Sequence, residues 1–401
     1  MLRTLKHYPA ALNLLLAGTL LLTLARAVTL PYLVIYLAGS FQLDVAEIGL
    51  VLGSSLIIGS VLSLYGGFLV DRMANHRLVL YCCAVFTLGF VGSFAARSLW
   101  SFYLCLLAIN LAYAVFDIAI KAGLARQLPE NQRSTGFSIK YTLTNIGYAI
   151  GPFLGAGLAK LDISLPFVLS AALGGGFFCL YLARGERVPL VTEPAEAPLA
   201  FLALGKQLLA DYRLVCFTLG GLLSAVVFGQ FSAYLSQYLV ITTSAEVAYT
   251  TISTLVATNA LLVICLQYAI GRRILRQHLN LWLATGLGLF LLGIGGFAMA
   301  SSLALWVLAM AVFTLGEIIV FPAEYMFIDC IAPEHLRGLY YGAQNLSNLG
   351  GALGPMLCGL VLASQPPQAI FWMLGLFVVG GGLFYCLGAA NLGQAQARPA
   401  D

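Results

Sequence analysis

Two motifs occur twice in this chain, half a chain apart. Pro129-Glu130-x-x-Arg133 precedes Gly147-x-x-x-Gly151-Pro152, and Pro333-Glu334-x-x-Arg337 precedes Gly350-x-x-x-Gly354-Pro355. The copies are offset by 204 residues at the first motif and 203 at the second. The chain must therefore build one unit twice. The residues around the motifs are almost wholly apolar, which decides the solvent. Of 401 residues, 61% are hydrophobic and 9% charged, against about 25% charged in a soluble domain. So few charges cannot clothe a water-facing surface. The 42 glycines suit helices packed closely in lipid, and a net charge of +4 is too small to argue for nucleic acid.

A membrane-spanning helix needs about 20 mainly apolar residues. Segmentation at polar breaks predicts twelve, at roughly 11–38, 47–70, 78–97, 101–125, 134–160, 164–184, 214–241, 246–270, 280–300, 303–329, 338–363 and 369–390. The first run continues well past Arg26, too long for a cleaved signal peptide, and is read as a retained span. One stretch is distinctly polar: from Arg184 and Arg187 through Pro189, Pro194 and Pro198 to Lys206 and Asp211. Its prolines and charges read as a linker. The expected organisation is an N-terminal six-helix bundle over 1–184, a linker over 185–212 and a C-terminal six-helix bundle over 213–401. A doubled bundle of this kind is a common plan for carriers, with the site between the repeats.

Basic residues set the orientation. With the N-terminus in the cytoplasm, 15 of the 20 lysines and arginines fall on the cytoplasmic side, Arg187 and Arg398 among them. Arg97 and Lys160 fall outside, and Arg26, Lys121 and Lys140 lie within spans. Both termini and the linker are expected in the cytoplasm.

Between the second and third spans the chain reads Gly67-Phe-Leu-Val-Asp71-Arg72-Met-Ala-Asn-His76-Arg77. A tight turn of this kind needs glycine for close helix approach and a carboxylate that pairs with an arginine or a helix N-terminus. The loop resembles the G-x-x-x-D-R-x-G-x-R loop of the major facilitator superfamily, with Ala74 in place of the usual glycine and His76 in place of a basic residue. Gly147-x-x-x-Gly151-Pro152-x-x-Gly155 resembles that family's antiporter motif, and Gly354 and Pro355 repeat it. Such glycines let helices pack closely, and proline bends the helix it interrupts.

The resemblance covers the whole chain and is closest to bacterial twelve-helix drug/proton antiporters and small-solute exporters. It implies an all-α membrane protein of two pseudo-symmetric six-helix bundles in a bacterial inner membrane, working by alternating access. It also implies that the loop latches the halves in an outward-open state, a gating role that falls on Asp71 and Arg72, with Arg126 or Arg133 as partners. One departure stands out. Drug antiporters usually carry an arginine early in the fourth helix, and Leu106-Leu-Ala-Ile-Asn110-Leu-Ala-Tyr113 has none.

Ionisable residues inside a span cost at least about 2.5 kcal/mol on insertion scales and are functional candidates by default. Arg26, Asp117, Lys121, Lys140, Glu317 and Glu324 qualify. Every basic one lies in the first half; the second contributes only carboxylates. Asn110, Tyr113, Asp117 and Lys121 share one face of the fourth helix, and Asp117 can pair with Lys121 or with Lys140 on the fifth. Arg26 holds a permanent charge that needs a carboxylate or an anionic ligand. Glu317 and Glu324 share a face of the tenth helix, about 10 Å apart along its axis.

These positions give the expected site. Glu317, Asp117 and Glu324 are candidates for proton coupling, Glu317 first. Arg26, Lys140, Lys121, Asn110, Tyr113, Tyr234, Asn259 and Gln344 are candidates for substrate binding. A basic wall facing an acidic one suits a zwitterion, so export of an amino-acid-like or dipeptide-like solute against protons is expected, from a monomer. A multidrug/proton antiporter or a sugar exporter is the alternative. The four histidines lie at helix edges or in loops, and the nine cysteines form no metal-ligand spacing with them. No enzyme, metal or cofactor is therefore expected.

Overall fold

The computed structural model describes residues 1–185 and 201–389. Most of the expected linker, with Arg187, and the C-terminal tail, with Arg398, lie outside the described residues. Among those described, all regular structure is helical. A short helix α1 (Leu2–Leu5) precedes α2 (Ala10–Phe41), α3 (Val45–Arg72), α4 (Asn75–Ala95), α5 (Leu99–Gln127), α6 (Glu130–Ala159) and α7 (Leu165–Arg184). Then come α8 (Phe201–Ala210), α9 (Tyr212–Phe228), α10 (Phe231–Thr242), α11 (Ala245–Gly271), α12 (Leu279–Met299) and α13 (Leu303–Ile331). The chain ends with α14 (Arg337–Asn345), α15 (Asn348–Ser364) and α16 (Ala369–Ala389).

Among the described residues, ten helical stretches are long and apolar enough to span a bilayer, eleven if the bent pair of α8 and α9 counts as one. The fifth expected span, α6, is outside that set; it carries Arg133, Lys140, Thr142, Thr144 and Asn145. Two expected spans are interrupted. The seventh breaks into α9 and α10 at Gly229 and Gln230, where Gln230 leaves helical geometry (φ −142°, ψ 45°). The eleventh breaks between Asn345 and Asn348. The end of the expected linker is also more ordered than its charges suggested: α8 is an apolar helix that turns by 78° into α9.

Two compact units result. The first takes the described residues of the first half together with Pro333–Asn345; the second takes the remainder of the second half. The internal repeat is visible in how each unit packs. In the first, α2 packs on α6 and α7, α5 on α3 and α4, and α4 on α7. In the second, α9 packs on α15 and α16, α13 on α11 and α12, and α12 on α16. These are the same five pairings at equivalent positions.

Glycines set the tightest of them. A Cβ on Gly147 would stand 3.0 Å from the backbone nitrogen of Leu24, and one on Gly151 would meet Ala27 and come within 2.9 Å of the nitrogen of Val28. Gly354 faces the backbone of Val226 in the same way. Pro152 and Pro355 lie inside helices α6 and α15. Helix starts are fixed locally: Asp44 and Glu47 form a reciprocal capping box on α3, Ser98 and Ser101 one on α5, and Ser302 caps α13.

Candidate functional site

Within the first unit, the polar face of α5 meets α2 and α6. Arg26 on α2 donates to Asn110 Oδ1 at 3.3 Å and to Tyr148 Oη at 3.2 Å. Its guanidinium lies 4.8 Å from the ring centre of Tyr113, close enough for a cation–π attraction. Asn110 in turn donates to Ser55 Oγ at 3.1 Å, and the Tyr113 hydroxyl pairs with Thr23 at 2.9 Å. All of these partners are neutral. Among the described residues no carboxylate lies within ion-pair distance of Arg26.

The next turns of α5 carry the opposite arrangement. Asp117 pairs with Lys121 at 2.9 Å and also with Lys140. The sequence left these two partners as alternatives; the structure makes both. The two lysine side chains are only 4% exposed, whereas Asp117 is 21% exposed. Lys121 donates further to Asn345 Oδ1 at 3.0 Å, and Asn345 donates to the carbonyl of Ala114. Gln344, beside it, is buried, and its Oε1 has no hydrogen-bond partner among the described residues. One carboxylate thus serves two ammonium groups.

The second unit gathers carboxylates. Asn259 Nδ2 donates to Glu317 Oε2 at 2.6 Å and to Thr314 Oγ1 at 3.1 Å, so the amide bridges both. Glu324, on the same helix, accepts a hydrogen bond from the Tyr385 hydroxyl, which also lies 3.2 Å from Ser224 Oγ. Glu317 and Glu324 are each 6% exposed. Tyr234 is fully buried, with its hydroxyl donating to the carbonyl of Val227 at 2.7 Å. Its polar atom is therefore spent on the backbone next to the break between α9 and α10.

Ser55, Tyr148, Tyr385 and Ser224 complete these clusters without standing among the expected site residues. Tyr385 carried a signal that could have found it: it is the one hydroxyl in an otherwise apolar α16. Ser55 and Ser224 look like ordinary small packing residues in sequence, and no local pattern distinguishes them.

The loop between α3 and α4 forms a third constellation. Asp71 accepts from Arg126 at 2.7 Å and from the backbone amides of Gly338 at 2.7 Å and Leu339 at 2.8 Å. These amides are the first turn of α14, where a carboxylate is favoured by the helix dipole. Gly67 makes the approach possible, since a Cβ there would stand 3.1 Å from the Leu339 Cα. Of the two expected arginine partners, Arg126 binds Asp71, whereas Arg133 is buried and donates its Nε to the Leu128 carbonyl at 3.1 Å. Arg72 turns away and stacks over Phe68 at 4.1 Å. Arg337 donates to the Ala125 carbonyl at 3.2 Å.

The family model of the Major Facilitator Superfamily matches residues 15–355. The chain belongs to that superfamily of transporters. It is 36% identical to the transporter YdeE of Escherichia coli, over 96% of this chain and 95% of that one. It is 27% identical to a Na(+), Li(+), K(+)/H(+) antiporter of Planococcus maritimus, over 95% and 96% of the two chains. Among solved structures, the transporter FucP in its outward conformation superposes with a TM-score of 0.76 over 95% of this transporter and 99% of FucP, at 13% identity. That likeness establishes the twelve-helix fold of the superfamily, and the apolar helices make this an integral membrane protein.

Proposed function

We propose that this transporter exports a small polar or zwitterionic solute, amino-acid-like or dipeptide-like, in exchange for protons. The observation that carries the reading is Arg26. It is a permanent cation in a membrane helix with only neutral partners among the described residues, beside a carboxylate already committed to two lysines. A guanidinium in that state favours an incoming carboxylate, which it can bind through two parallel hydrogen bonds. Asn110, Tyr113 and Tyr148 orient it. Glu317, held by Asn259, takes the amine of the solute or a proton, and competition between the two couples their fluxes. Glu324, with Tyr385, is the second proton site. The curated antiporter relative supports exchange against protons as the mode of coupling.

In this reading the protein works by alternating access as a monomer in a bacterial inner membrane, with its linker and both termini in the cytoplasm. Asp71, through Arg126 and the first turn of α14, latches one end state.

The test uses purified protein in liposomes with an imposed pH gradient and a pH-sensitive dye. Dipeptides, amino acids, sugars and lipophilic cations are added singly. Proton movement triggered by zwitterions is expected, and its loss in Arg26→Gln and in Glu317→Gln. Undiminished transport of every carboxylate-bearing solute by Arg26→Gln would overturn the reading, and a response to lipophilic cations alone would make the protein a multidrug antiporter.

A further inference from the structure

Helix α13 carries Glu317 and Glu324 with Pro322 between them, and it runs unbroken from Leu303 to Ile331. A proline inside a helix has no N–H to give to the carbonyl four residues back, and its ring crowds that carbonyl. For Pro322 the carbonyl is that of Ile318. In lipid no water replaces the missing donor, so a neighbouring helix has to supply one.

Gln267 on α11 supplies it. Its Nε2 donates to the Ile318 carbonyl at 3.1 Å, and the residue is fully buried. Only the nitrogen end of the amide can serve a carbonyl, which fixes how the side chain is turned. About two turns earlier on the same helix, Asn259 donates to Thr314 and Glu317. Helix α11 therefore grips α13 at two levels, by Asn259 on the side chain of Glu317 and by Gln267 on the backbone one residue further along. Glu324 lies beyond the proline, bonded to Tyr385. Helix α5, whose bounds match those of α13 at a constant offset of 204 residues, has Ile118 where α13 has Pro322. The proline and its substitute donor thus belong to the helix with two buried glutamates and not to the repeated plan.

On the reading of Glu317 and Glu324 as the proton and amine sites, we propose that Gln267 is a positioning residue for transport. By bonding the carbonyl that Pro322 frees, it fixes the course of α13 between the two carboxylates. Without that bond the segment beyond Pro322 pivots on the proline while Asn259 still holds Glu317, and the two carboxylates lose their fixed relation.

Gln267→Met keeps the length of the side chain and removes the donor, and Pro322→Ala gives position 322 back its N–H. The full-length protein is prepared as wild type, as each single variant and as the double. Hydrogen exchange across 319–326 is read in detergent without solute. Gln267→Met is expected to speed it roughly tenfold, the scale of one buried hydrogen bond. On the Pro322→Ala background the same substitution is expected to change it less than about twofold, since residue 322 then serves Ile318 itself. Equal acceleration on both backgrounds overturns the proposal, because Gln267 then only packs. If Gln267→Met alone does not fold, a folded double variant supports the proposal; a double that fails where Pro322→Ala folds overturns it. In liposomes with an imposed pH gradient, dipeptides and amino acids are the probes. Gln267→Met is expected to lower the maximal rate of solute-driven proton movement roughly tenfold, with the half-saturating concentration within about twofold of wild type. Added to Pro322→Ala it is expected to cause no further loss. An unchanged rate and pH profile in Gln267→Met, with hydrogen exchange accelerated, makes the bond structural only and overturns the positioning role. No proton movement by wild type with any probe refutes the transport reading instead, while the background-dependent hydrogen exchange still establishes the bond.

Discussion

Replacing Asp117 by Asn tests whether one carboxylate neutralises two buried lysines. The substitution preserves shape and one hydrogen-bond acceptor but removes the carboxylate that pairs with both Lys121 and Lys140. Removing one partner of a buried ion pair costs about 3–5 kcal/mol, because the other charge is left uncompensated. The lysines meet that condition with side chains 4% exposed, and the 21% exposure of Asp117 argues for the lower part of the range. An upper bound comes from neutralising one lysine instead, which for an ordinary ammonium at pH 7 costs about 4.6 kcal/mol. The expected loss is therefore about 3 to 4 kcal/mol, a fall in unfolding temperature on the order of 10 °C for a unit of this size. Thermal unfolding of the purified protein in detergent reads it. A second variant isolates the cause: Asp117→Asn combined with Lys140→Met leaves one lysine, still bonded to Asn345, and should recover more than about 1 kcal/mol of the loss. A fall of less than about 3 °C in the single variant, or no recovery in the double, would refute the shared-counter-ion account.

Two further substitutions test packing and the α3–α4 loop. Gly151→Ala should destabilise by about 1–3 kcal/mol through overpacking against Ala27 and Val28, while Gly157→Ala, which faces open space, should leave the unfolding temperature unchanged. Equal effects of the two would show that α6 does not approach α2 as closely as described. Asp71→Ala leaves the amides of Gly338 and Leu339 without their acceptor, at about 1–3 kcal/mol each. Hydrogen exchange over 338–341 should then accelerate at least tenfold, with Asp71→Asn milder because it keeps one acceptor; unchanged exchange in Asp71→Ala would remove the carboxylate from any hold on α14.

The fold was largely legible because a bilayer leaves few alternatives. Backbone groups in lipid must be satisfied within their own segment, so runs of about 20 apolar residues become helices whatever their neighbours do. The doubled motifs then required two similar units, and the five matched helix pairings follow from that. Spacing alone put Asn110, Tyr113, Asp117 and Lys121 on one face of a helix, and charge cost alone marked Arg26, Glu317 and Glu324.

What sequence periodicity could not supply was the partner of each side chain. Asp117 had two lysines in reach, and only the packing of α5 on α6 showed that it takes both. Asp71 had two candidate arginines and takes Arg126, because Arg133 is turned into the carbonyl at Leu128. Tyr234 looked like a lining residue and instead closes the backbone near a helix break, since a buried hydroxyl must find an acceptor. Nor did the sequence place α14 with the first unit, where two backbone amides meet a carboxylate some 267 residues away. Helix identity is a local property of solvent and composition, so the sequence determined it. Which polar groups meet depends on the rotation and depth of helices distant in the chain, and only the tertiary structure decided that.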